Sequence, residues 1–145
     1  MKRMIAAFAA LLMLTLTLAG CGAAYKDGTY RAEAAEYSHG WKDYVVVTVA
    51  GGKVTVDEFD SVNETGDKKS LDPSYREAME PVSGTYPEKF IPEIVAEYAA
   101  KGSVDKMDNI TGATNSTNSF KTLVTAALGN AKSGVTETAV VSTAG

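Results

Sequence analysis

The sequence predicts an α+β fold, a small twisted antiparallel sheet with two packed helices. Three observations carry this. Two β-branched runs, Tyr44 to Val49 and Lys53 to Phe59, flank the pair Gly51-Gly52. Two later stretches repeat their apolar residues at helical spacing. Without its N-terminal segment, the chain is the length of one domain with a single core.

That segment reads "MKRMIAAFAALLMLTLTLAGCG". Lys2 and Arg3 precede an uncharged apolar run from Ile5 to Leu18, followed by small residues and the only cysteine, Cys21. This is the three-part pattern of a secretory signal peptide, expected over residues 1–20. The run is shorter than the ~20 apolar residues of a membrane span. The stretch "LAGC" is similar to the lipobox of bacterial lipoproteins. The resemblance implies cleavage before Cys21, a diacylglycerol on its sulfur, and a lipidated tether over residues 21–26. A lone thiol in an exported protein has no disulfide partner, which agrees with such a role. The expected location is the outer face of the bacterial cytoplasmic membrane. Cleavage removes Lys2 and Arg3, so the formal charge goes from −4 to −6. An acidic chain with no basic cluster excludes nucleic acid as a partner and argues against added adhesion to anionic lipid.

The elements follow in order. "DGTYRAEA" turns at Asp27-Gly28, then alternates Tyr30, Ala32 and Ala34 on one face with Arg31 and Glu33 on the other, as a strand does. "HGW" interrupts. Gly51-Gly52 accepts the positive φ angles of a tight turn, so the two β-branched runs form a hairpin. Residues 60–72 read as a polar loop, and "PSYREAME" as two helical turns from Pro73 that "PVSGTYP" breaks. Phe90, Ile91, Ile94, Val95 and Tyr98 mark a helix that Gly102 ends; Pro92 either starts it or kinks its first turn. Phe120, Leu123, Val124, Ala127 and Leu128 mark the last helix, ending near Gly129-Asn130. The tail, residues 133–145, has little to bury and is expected to be disordered, with a weak strand as the alternative.

Immediately before the last helix stands "DNITGATNST", a run of hydroxyls and small residues without His, Cys, Lys or Arg. Unpaired N–H groups and a partial positive charge at a helix start favour phosphate. Gly112 permits a tight turn and a close backbone approach, Ala113 adds little bulk, and Thr114 presents a hydroxyl. An ordinary reading stands beside this one: Thr114 or Ser116 is a helix cap and Gly112 part of a plain turn.

"DNITGAT" resembles the flavinylation motif of the FMN-binding domain family. "DGTY", "GGKV", "NETG" and "VDKMDNITGATNSTNSF" follow one another in that family's order, which implies an FMN-binding domain over residues 27–132. The resemblance further implies covalent FMN, attached by a flavin transferase through a phosphodiester to Thr114. Asp108, Thr111, Gly112 and Ala113 become the recognition and phosphate-cradling residues. It implies an electron carrier rather than an enzyme, without catalytic residues or metal, relaying electrons from a membrane donor to an extracellular acceptor. The redox chemistry would be the cofactor's, so the protein needs no His or Cys of its own for it. The competing reading is a non-redox surface lipoprotein that holds FMN or another phosphorylated ligand reversibly. Trp41, Tyr44, Met79 and Tyr98 are candidates to pack on a flavin ring, with core or rim as the plainer role for each. His39 reads as a lone surface histidine. The sequons at Asn63, Asn109 and Asn115 read as coincidence.

Overall fold

The computed structural model describes residues 25–143. The expected signal peptide and Cys21 lie outside the described residues. Three consecutive strands, β1 (Gly28–Ala34), β2 (Lys42–Ala50) and β3 (Lys53–Val62), pair antiparallel, and β4 (Ala139–Val141) joins the far side of β1. The sheet order is β3-β2-β1-β4. Three helices, α1 (Pro73–Ser83), α2 (Pro87–Lys101) and α3 (Thr114–Ser133), complete the α+β architecture.

The hairpin closes as its glycines predict. Ala50 pairs with Lys53, and Gly51 and Gly52 take φ values of 58° and 79°. Two successive positive φ angles match the right-handed twist of the strands. One face of the sheet buries Tyr30, Ala32 and Ala34 from β1 and Val45, Val47 and Val49 from β2. Phe90, Ile94 and Tyr98 of α2 join Phe120, Leu123, Val124, Ala127 and Ala131 of α3 in that core. Phe120 is its centre, edge-on to Phe59 at 5.0 Å and to Tyr98 at 5.8 Å between ring centroids. The opposite face carries Arg31, Glu33 and Glu58, the solvated side of a half-buried sheet.

Five elements differ from the leading expectation. β4 forms in the tail and pairs parallel with β1, Ala32 beside Ala139, so the sheet is mixed. A three-residue strand gains little from its own side chains; the free edge of β1 supplies its hydrogen bonds. α3 runs through Gly129 and stops at Gly134, where φ is 71°. Gly129 costs about 1 kcal/mol against alanine, which the buried Ala131 two residues later offsets. α1 likewise runs past Pro81 and ends on Gly84. α2 begins at Pro87, with the exposed Pro92 inside it. A proline forfeits only one backbone bond, and Phe90, Ile94 and Tyr98 hold both sides of Pro92 against the core. Finally, β3 continues through Asp60 and Ser61, both buried although they read as loop.

Candidate functional site

A 3-10 turn at Val104–Lys106 and the buried Met107 lead into the hydroxyl-rich run. The Ala113 N–H donates to the Ile110 carbonyl at 2.9 Å, and Gly112 stands at the third position of that turn with φ 78°. Such a turn needs glycine there. Space demands glycine too: a Cβ would lie 2.8 Å from the Ser83 carbonyl oxygen and 2.9 Å from Thr85 Cγ2. Thr85 Oγ1, in this same wall, is buried and has no hydrogen-bond partner.

The first turn of α3 divides the hydroxyls. Thr117 is fully buried; its Oγ1 donates to the Ala113 carbonyl at 2.8 Å and accepts from the Ile110 N–H at 3.2 Å. It therefore clamps the turn onto the helix. The N-cap residue is Ala113, which has no side chain able to cap. Neither Thr114 nor Ser116 caps the helix, so the ordinary cap reading does not describe this end. Thr114 is the first helical residue, and its side chain is exposed. No side-chain acceptor pairs with the leading N–H groups, which keep the anion preference of a helix start.

Thr114 stands in a cleft of about 570 Å³. Gly112, Ala113, Asn115, Ser116 and Ser119 form one wall, the end of β1 and start of β2 another, and α1 a third. The volume lies within the ~300–1,000 Å³ of small-molecule sites. Trp41 and Tyr75 meet edge to face at 6.1 Å, and the Lys69 ammonium lies 4.3 Å from the Tyr75 ring centre. Met79, one helical turn after Tyr75, adds its thioether to the same wall. Polar anchors hold the frame. Asp43 accepts from Ser61 Oγ and, at 2.6 Å, from Ser119 Oγ, tying β2 to β3 and α3. Asp60 accepts from Ser70 Oγ at 2.5 Å and from the Ser70 N–H at 3.2 Å, which fixes the 3-10 turn carrying Lys69.

Of the residues singled out from sequence, Gly112, Ala113 and Thr114 line the cleft. Asp108 and Thr111 do not. Asp108 has 85% of its side chain exposed, with Lys101 Nζ at 3.4 Å, while its N–H donates to Glu97 Oε1. Thr111 is exposed on the outside of the turn. Trp41 and Met79 face the cleft; Tyr44 and Tyr98 do not. Tyr98 is core. Tyr44 lies under the Arg31 guanidinium and donates to Glu58 at 2.5 Å. Burial first, and then that hydrogen bond, push its phenol well above the ordinary range. His39 is exposed, as expected, but lines the cleft rim with φ 51°. Sequence reasoning missed Tyr75, Lys69, Asp43 and Ser119. The i, i+4 spacing of Tyr75 and Met79 was the one signal present. A second depression of about 620 Å³, beside Tyr25 and Tyr98, has no α-helix start in its lining.

Residues 40–129 match the FMN-binding domain family. The chain is 37% identical over 128 residues to a 15 kDa lipoprotein of Treponema pallidum (strain Nichols), spanning 87% of this chain and 91% of the other. It also superposes on the crystal structure of a Clostridium perfringens protein with a TM-score of 0.77. That pair is 38% identical, over 82% of this chain and 98% of the solved one.

Proposed function

From the premise that the chain belongs to the FMN-binding domain family, we propose that it is a lipid-anchored electron carrier with FMN joined covalently to Thr114. The observation that carries this reading is the uncapped start of α3, with the exposed Thr114 hydroxyl at the mouth of the aromatic cleft. The residues present fit the cofactor. Gly112 leaves room where a Cβ would clash, the free N–H groups suit a phosphate, and Trp41, Tyr75 and Met79 offer faces to a flat ring. FMN supplies electron-transfer chemistry that the side chains lack.

Attachment would proceed on a transferase, with FAD as the flavin donor. Thr114 Oγ would displace AMP from the FMN phosphorus of FAD, giving up its proton and leaving a phosphodiester. Asp108 stands outside the cleft, exposed, where a docking transferase can read it. Thr111, on the outer side of the turn, belongs to the same recognition surface. In the finished protein the chain's own groups do three things. The backbone of residues 112–116 would hold the phosphate, Trp41, Tyr75 and Met79 would offer faces to the ring, and Lys69 would supply a positive charge in the same cleft.

The family match and the lipoprotein relative support a flavin-binding lipoprotein. Acylation of Cys21, a membrane electron donor and an acceptor outside the cell complete the proposal. Among the described residues no helix is long and apolar enough to cross a membrane.

The test is the intact mass of residues 22–145 coexpressed with a flavin transferase. The expected result is a gain of one FMN less one water, absent in Thr114→Ala and retained in Thr114→Ser. A protein of unchanged mass, made beside a transferase proven active on another substrate, would overturn covalent attachment. Flavin released on denaturation would favour the reversible reading instead.

A further inference from the structure

We propose that the end of the domain bearing Tyr25 rests on the bilayer, with Lys26, Lys53 and Lys132 against anionic lipid headgroups, so that the flavin cleft faces away from the membrane. The inference rests on the lipid-anchor reading of Cys21. Only four peptide units separate Cys21 from Tyr25, a reach of at most about 14 Å. An acylated Cys21 therefore keeps this end of the fold close to the headgroups, whatever the tether does.

Residues distant in sequence meet there. The Lys26 N–H donates to the Ala131 carbonyl at 2.9 Å, and the Gly51 N–H donates to Asp27 Oδ1 at 3.0 Å. The start of β1, the β2–β3 turn and the end of α3 thus share one end of the molecule. The depression of about 620 Å³ opens among them, with Tyr25, Lys53 and Lys132 in its lining. Lys26 lies over Gly134, where a Cβ would come within 2.8 Å of its side chain. All three lysines are exposed, and none forms an ion pair among the described residues. Against them stand Asp105, in the same lining, Asp27, whose carboxylate already accepts from Gly51, and the exposed Glu137, whose carbonyl accepts from Asn130 near the end of α3. Three lysines without ion pairs among the described residues thus gather at one end of a chain whose net charge is negative. Sequence order concealed this, because no two of these lysines are close along the chain.

The fold then sets the direction of the cleft. α3 starts at Thr114 in the cleft and runs 20 residues to the Lys132 end. At 1.5 Å per residue that is about 30 Å. The acceptor outside the cell would approach the cofactor from the side away from the bilayer, and the membrane donor would reach it through a part that projects from the membrane.

Cys21 is the sole cysteine, so the mature chain can be coupled through that thiol to a maleimide lipid in vesicles. Lysine acylation, read by mass spectrometry, then reports which surface is covered. On phosphatidylglycerol-rich vesicles Lys26, Lys53 and Lys132 should label about fivefold more slowly than on phosphatidylcholine vesicles. Lys69, in the flavin cleft, should not change. High salt should abolish the difference. So should Lys53→Glu combined with Lys132→Glu, read at Lys26. Labelling of the three lysines that ignores lipid charge, or slows equally at Lys69, would overturn the proposal. The mass of the protein from native membranes reports acylation of Cys21 separately; an unmodified thiol there overturns the anchor reading by itself.

Discussion

Thr114 and Thr117 are the same residue type three positions apart, and the start of α3 gives them opposite roles. Thr117 is fully buried with both of its hydrogen-bonding capacities used; Thr114 is exposed and caps nothing. Thr117→Val keeps the shape but leaves the Ile110 N–H and the Ala113 carbonyl without that hydroxyl. Urea denaturation should show a loss of about 1–3 kcal/mol. The loosened turn should also lower flavin loading, seen by intact mass. Gly112→Ala meets two obstacles, a positive φ and the Ser83 carbonyl oxygen. It should cost about 1–3 kcal/mol in the same measurement. Thr114→Ala, the control for flavin attachment, should stay within about 0.5 kcal/mol of the parent before loading, because nothing in the fold depends on its hydroxyl. A large destabilisation there would mean that the variant reports folding rather than chemistry.

Among the elements, α1 is the least anchored. It contains no buried residue, and Leu71 just before it and Val82 near its end are 74% and 88% exposed. Its inner side offers Tyr75 and Met79 to the cleft. α2 and α3, by contrast, each insert several side chains into the core. Local opening follows buried contact, so α1 amides should exchange faster than those of α2 and α3 in the flavin-free protein. If Tyr75 and Met79 pack on the ring, loading FMN should slow exchange across Pro73–Ser83 while α2 changes little. Unaltered exchange in α1 on loading would remove that helix from the cofactor site.

At the scale of the whole molecule, the solvated face of the sheet sets one part of the pH response. The Lys68 ammonium first, and then the Tyr44 hydroxyl, hold Glu58 below its ordinary 4.5. A lowered carboxylate pKa contributes stability above the unfolded value, and that contribution is lost as pH falls through the folded value. The parent should therefore lose stability more steeply than Glu58→Gln on acidification below about pH 4.5, in denaturant midpoints taken at each pH. Glu58 is partly exposed, so the difference should be small and should shrink with salt. The legibility of the fold also divides at this scale. The hairpin, the alternation in β1, both amphipathic helices and the Gly112-Ala113-Thr114 turn into the last helix could be read from sequence, because each is a local pattern with its own period or backbone requirement. The parallel pairing of β4, the continuation of α3 past Gly129, the wall of Tyr75 and Lys69, and the Asp43 bridge from Ser61 to Ser119 could not. A sheet edge, a buried Ala131 or a neighbouring strand decides each of these, and such partners lie far away along the chain. The sequence by itself determined which hydroxyl-rich segment leads into a helix. Only the tertiary structure decided that Thr114 opens into a cleft while Thr117 does not, because orientation at a helix start is set by what the next turn packs against.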